Sequence, residues 1–81
     1  MDRVPPLLPP DDLTARRQAL GEQLRDARLA AGLTQEQVAL ATGIDRPSVV
    51  RIERGQQDAR LSTLLRLCDA LGVRLVVVSP T

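Results

Sequence analysis

Residues 34–55 read TQEQVALATGIDRPSVVRIERG, and the spacing within them decides the architecture. Thr34-Gln35-Glu36-Gln37 has the form of a capping box, in which the Thr34 hydroxyl accepts from the backbone N–H of Gln37 while the Gln37 side chain reaches back. That predicts a short helix to Thr42, burying Val38 and either Ala39 or Ala41. Gly43 supplies the positive φ of a tight turn and Ile44 packs beneath it. Asp45 or Arg46 then opens a second short helix with Pro47 in its first turn, where a missing N–H costs little. Gly55 ends that helix.

Working outward, a longer helix is expected from Asp12 or Thr14 to Ala31, with Leu13, Leu20, Leu24, Ala27 and Ala31 recurring at helical spacings. Gly21 inside it is expected to let its N-terminal half fray, and Gly32 terminates it. On the other side, residues 56–61 form a polar loop, and Ser62 is expected to cap a further helix with Leu64, Leu65, Leu67, Cys68 and Leu71 as its apolar positions. Gly72 closes that helix. The next seven residues, Val73-Arg74-Leu75-Val76-Val77-Val78-Ser79, are too short for a helix and rich in β-branched side chains, which argues for a β-strand. Two short helices around a glycine-containing turn, with a helix on each side, make a helix-turn-helix on its scaffold. The expected fold is all-α, a bundle of four to five helices with one C-terminal β-strand.

Four of the six prolines fall within residues 1–10, where they can neither propagate a helix nor pair in a central strand. Residues 1–11 are therefore read as a flexible arm, 12–72 as the helical domain and 73–81 as the strand segment.

Composition excludes several classes of function. A chain of 81 residues makes one domain and buries only about 60–65% of the surface its unfolded form exposes. It holds no Phe, Tyr, Trp or His, and all 11 basic residues are Arg. Without His or Lys most acid–base chemistry lacks its usual groups, so no enzyme and no catalytic residue is expected. Cys68 stands alone, which rules out an internal disulfide and a cysteine-based metal site, and no cofactor is implied. No apolar run approaches the roughly 18 residues that span a bilayer, and the first ten residues do not read as a signal peptide, so a cytoplasmic protein is expected. The net charge of +1 conceals a division. Residues 1–12 carry Arg3 against Asp2, Asp11 and Asp12, whereas Arg46, Arg51, Arg54 and Arg60 lie close together with only Glu53 and Asp58 among them.

Six segments, in order and spacing, carry a resemblance: Leu20-Gly-Glu-Gln-Leu-Arg-Asp-Ala-Arg28, Gly32-Leu-Thr-Gln35, Val38-Ala39, Thr42-Gly43-Ile44, Ser48-Val49 and Ile52-Glu53-Arg54-Gly55. Together they resemble the DNA-binding domain of the Cro and XRE repressor family, the lambda-repressor-like helix-turn-helix proteins. The resemblance spans residues 20–72 and implies a transcriptional regulator of double-stranded DNA. Ala39 would lie where the two short helices cross, with room for no more than a methyl group. Val49 and Ile52 would face the core against Leu24, Val38 and Leu64. Arg28 and Glu53 match the family's internal ion pair, a bidentate bridge between the first and third helices.

In the family, the glutamine at the position of Gln35 grips the DNA backbone at a helix N-terminus, where N–H groups and the helix dipole favour phosphate. Arg46, Pro47, Val50 and Arg51 are the expected base-reading positions, with Ser48 and Arg54 directed to phosphates. Arginine's fork fits O6 and N7 of guanine, so Arg46 and Arg51 suggest a guanine-containing half-site. Val50 and Pro47 depart from the family pattern, which more often has polar residues there. An exposed Val50 would suit a thymine methyl group; the other reading is that it is buried.

A lone Val-rich strand presents unpaired backbone groups and an apolar face. Antiparallel pairing with the same segment of a second chain removes both, so Val73, Leu75, Val76, Val77 and Val78 are expected to form a homodimer contact, with Arg74 towards solvent. The other reading folds this segment back onto its own helices. An XRE-type core with such a strand, ending Leu71-Gly72-Val73-Arg74-Leu75, is also similar to the HipB-like antitoxins, which partner HipA-type kinase toxins. Two functions follow. One is a sequence-specific dimeric repressor, autoregulating its operon. The other is an antitoxin or adaptor that chiefly holds a toxin or other partner protein, with Asp11, Asp12 and the arm facing it.

Overall fold

Four helices follow one another in the computed structural model, which describes residues 10–79: α1 (Pro10–Ala30), α2 (Gln35–Thr42), α3 (Arg46–Glu53) and α4 (Leu61–Leu71). Residues 1–9 of the expected arm lie outside the described residues, as do Pro80 and Thr81. α1 starts at Pro10, ahead of the expected Asp12 or Thr14, and a proline in a first helical turn forfeits no hydrogen bond.

Close approach, not weakness, explains Gly21. The helix continues through it, and the residue is buried against the end of α3. A Cβ built there would stand 2.6 Å from the Glu53 carbonyl oxygen, so only a glycine lets α1 touch the α3 backbone. The neighbour that requires glycine here lies on another helix, outside the reach of the apolar spacing within α1.

The core is aliphatic throughout. Leu24 of α1, Val38 and Ala39 of α2, Val49 and Ile52 of α3, and Leu67, Cys68 and Leu71 of α4 form one buried cluster. Leu20, Ala27, Leu33, Ile44, Ala59 and Leu64 pack around it. Val38 and Val49 are each 1% exposed, and burying such a side chain contributes about 1.5–3 kcal/mol. Ala39, not Ala41, is the buried alanine of α2. Leu13 and Leu65, read as core positions, are exposed, and Ala31 falls past the end of α1 and is exposed too.

α4 begins two residues earlier than a Ser62 cap would place it. Arg60 occupies the N-cap without any side-chain cap bond, because a guanidinium has no acceptor to offer; Ser62 sits inside the helix. At the other end, Gly72 N–H donates to Asp69 O and Val73 N–H to Cys68 O, the paired bonds that turn the chain out of a helix. Residues 73–79 then continue without helix, and no strand forms among the described residues of this single chain. The pairing expected of residues 73–78 joins two chains. Val73 and Leu75 border a depression of about 410 Å³ together with Leu24, Ala27 and Cys68, whereas Val77 is fully exposed. Among the described residues, no helix is long and apolar enough to cross a membrane.

Candidate nucleic-acid interface

The pair α2–α3 is built by two caps and a turn. Gln37 N–H donates to Thr34 Oγ1 at 3.0 Å while Thr34 N–H donates to Gln37 Oε1 at 2.9 Å, completing the capping box. Gly43, at φ 75°, closes α2 with its N–H on Ala39 O. Thr42 Oγ1 donates to Val38 O at 2.7 Å and accepts from Ile44 N–H at 3.3 Å, fixing the turn. Asp45 then caps α3: its carboxylate takes Ser48 N–H at 3.0 Å and the Ser48 hydroxyl at 2.8 Å. Those two bonds hold the Asp45 carboxyl below the usual carboxylate range.

Once α3 is seated, its two faces separate. Val49, Ile52 and Glu53 are buried. Arg46, Pro47, Arg51 and Arg54 are exposed, with Val50 and Ser48 half-buried beside them. Positions 46, 47, 50, 51 and 54 recur with helical spacing, so one outward stripe carries three guanidinium groups and two small apolar surfaces. Arg46, Pro47, Val50, Arg51, Arg54 and Gln56 line an open depression of about 340 Å³ on this stripe. Val50 thus takes neither extreme of the two readings, being partly covered yet part of the outward wall.

Behind the stripe lies a buried ion pair. Arg28 Nε donates to Glu53 Oε2 at 2.7 Å and Arg28 Nη2 to Glu53 Oε1 at 3.1 Å, while Arg28 Nη1 donates to Leu33 O at 2.9 Å. Hydrogen bonding to Glu53 raises the pKa of the Arg28 guanidinium above its ordinary value. Gln35 joins this group, its Nε2 donating to Glu53 Oε1 at 3.1 Å. The first residue of α2 is thereby tied to the last residue of α3, and among the described residues no buried side-chain nitrogen or oxygen lacks a partner.

Two further residues border these groups. Arg25 lines a broad depression of about 750 Å³ with Gln35, Arg46 and Arg54, between the C-terminal end of α1 and the N-termini of α2 and α3. Its spacing of three from Arg28 places it beside that residue on α1, a relation visible in the sequence. Gln57, in the loop after α3, accepts from Arg51 Nε at 3.0 Å; nothing in the local pattern announces that bond.

A family profile described as "Helix-turn-helix domain" matches residues 19–79. The chain belongs to the helix-turn-helix family. This helix-turn-helix chain is 39% identical over 62 residues to an "Uncharacterized HTH-type transcriptional regulator" of Haemophilus influenzae, covering 76% of itself and 63% of that relative. A second such regulator, from Sinorhizobium fredii, is 36% identical over 66 residues, covering 80% of this chain and 86% of the relative. Among solved structures it is similar to the restriction-modification controller protein C.AhdI from Aeromonas hydrophila, with 40% identity and a TM-score of 0.72 over 74% of this chain and 91% of the other. It is also similar to the clp gene regulator ClgR of C. glutamicum, with 31% identity and a TM-score of 0.69 over 88% and 82% of the two chains. The family consists of DNA-binding regulators and not of enzymes.

Proposed function

We propose that the chain is a sequence-specific transcriptional repressor that binds a pseudo-palindromic DNA operator as a homodimer in the cytoplasm and regulates its own operon. The observation that carries this reading is the outward stripe of α3, where Arg46, Arg51 and Arg54 stand exposed around Pro47 and Val50. Arg46 and Arg51 read guanine through O6 and N7, and Pro47 with Val50 meets a thymine methyl group. Arg54 lies beside them for phosphates, whereas the Ser48 hydroxyl hydrogen and backbone N–H are both given to Asp45. Gln35 keeps one amide N–H beyond its bond to Glu53, and that donor, at the start of α2, suits a phosphate oxygen. The regulators to which the chain is similar, among them a restriction-modification controller and a clp gene regulator, support a role in transcription.

The homodimer rests on the C-terminal segment. Val76, Val77 and Val78 are 65%, 103% and 75% exposed in the single chain, an apolar run that a second copy would cover by antiparallel pairing. Such a dimer sets two recognition helices about 34 Å apart, one helical turn of DNA.

Selection of bound duplexes from a random pool by the full chain, at one stated salt concentration, tests the reading. A two-fold related, guanine-containing consensus is the expected product, and recovery of unrelated sequences overturns specific recognition. Sedimentation of a chain ending at Gly72 tests the dimer: a monomer is expected, and a dimer would remove the strand pairing.

A further inference from the structure

We propose that Gln57 is a positioning residue for base recognition: with Ser48, which Asp45 orients, it occupies the side-on edge of the Arg51 guanidinium, leaving the end-on pair of Nη groups to meet guanine. This rests on the reading of Arg51 as a base contact and adds which edge of it reads and what holds it there.

A guanidinium offers five N–H donors and two ways to make a two-bond fork. The side-on fork uses Nε with the neighbouring Nη2, and the end-on fork uses Nη1 with Nη2. Arg51 Nε donates to Gln57 Oε1 at 3.0 Å and Arg51 Nη2 to Ser48 Oγ at 3.4 Å, so both bonds fall on the side-on edge. Three N–H groups remain, two on Nη1 and one on Nη2, and the parallel pair among them forms the end-on fork. That fork has the width of O6 and N7 of guanine.

The direction of each bond is set by its partners. Ser48 Oγ gives its one hydrogen to Asp45 Oδ1 at 2.8 Å, so towards Arg51 it acts only as an acceptor. Asp45 is held below the usual carboxylate range by Ser48 and stays an ionised acceptor at neutral pH. On the other side, Gln56 N–H donates to the Arg51 carbonyl at 2.8 Å, which fixes the loop carrying Gln57 to the same residue whose side chain it receives. Arg51 is thus held from the helix start by Asp45 and Ser48, and from the loop by Gln57. A long side chain held in one rotamer before binding has less freedom to lose on meeting a base.

The test is a binding titration of the full chain at fixed salt, using the duplex selected by the wild type and copies with 7-deazaguanine replacing each guanine in turn. Removing N7 at the guanine read by Arg51 is expected to weaken the wild type roughly tenfold. Gln57→Ala should shrink that penalty to about twofold or threefold while changing affinity for a scrambled duplex by less than about twofold. Gln57→Glu keeps an acceptor for Nε and should retain the full penalty, even though its added charge weakens binding to every duplex. In an Arg51→Ala background Gln57→Ala should change nothing further, which a merely structural role would not produce. The thermal midpoint of Gln57→Ala should stay within about 2 °C of the wild type, because the residue is not part of the core. A full 7-deazaguanine penalty in Gln57→Ala, or equal losses on all duplexes, overturns the positioning role alone. Should Arg51→Ala itself retain the penalty at every guanine, the base-reading assignment falls and the positioning role falls with it.

Discussion

Two arginines use the same chemistry to opposite ends. Arg28 and Arg51 each present Nε and Nη2 to neighbouring side chains, yet Arg28 is 8% exposed and meets a carboxylate, whereas Arg51 is exposed and meets an amide and a hydroxyl. The buried fork is closed, since Arg28 Nη1 is also taken by Leu33 O. The exposed fork is half open. A fully matched charge pair inside the fold is costly to break, because removing one partner strands the other away from water. Neutral partners at the surface orient a guanidinium without neutralising it, so its charge and its free edge remain available to DNA. The difference separates a residue that holds α1 to α3 from one that α3 can offer outward.

Four substitutions sharpen or break that contrast, from the largest effect to the smallest. Glu53→Ala strands Arg28 and releases Gln35, and should cost about 3–5 kcal/mol of unfolding free energy in urea titration. A loss below about 1 kcal/mol would mean that water already reaches the pair. Gly21→Ala pushes a methyl group into the backbone at Glu53 and should cost roughly 1–3 kcal/mol, although the same change in an open helix stabilises by up to about 1 kcal/mol. A stabilised variant would show that α1 and α3 have room to part. Arg51→Ala should leave unfolding within about 0.5 kcal/mol of the wild type and remove about 1–3 kcal/mol of preference for the selected duplex.

The smallest effect concerns pH. Because the folded Asp45 pKa is lowered, its contribution to stability is present above the unfolded value of about 3.9 and is lost as pH falls through the folded value. Between neutral pH and acid, wild-type stability should therefore fall slightly more than that of Asp45→Asn, as followed by thermal melts. Parallel curves would mean that Ser48 does not favour the ionised cap.

Three local signals made the centre of the fold legible. The Thr34–Gln37 capping box, the Gly43 turn and Pro47 at the start of α3 each depend on residues within one turn of each other, and each stands in the structure as read. The Arg28–Glu53 pair was implied by the family resemblance, since nothing in the spacing of two residues on separate helices fixes a contact. Long-range contacts were the blind spot. Gly21 looked like a weak helix residue because the Glu53 carbonyl that requires it lies in another element. Ser62 looked like a cap because it accepts hydrogen bonds, but the helix starts at Leu61, before Ser62 could serve. Gln35 was read as a phosphate ligand only, and its bond to Glu53 adds an internal duty. Gln57 was invisible because its bond to Arg51 depends on how the chain turns at Gly55.

The separation of holding from reading is tested most directly by one paired titration. Wild type and Arg51→Ala are each titrated at a single salt concentration with the selected duplex and with a scrambled duplex of the same length. The expected result is a wild-type preference that falls by roughly fivefold or more in Arg51→Ala, with affinity for scrambled DNA changed far less. An undiminished preference, or an equal loss on both duplexes, would contradict the assignment of α3's outward face to base recognition.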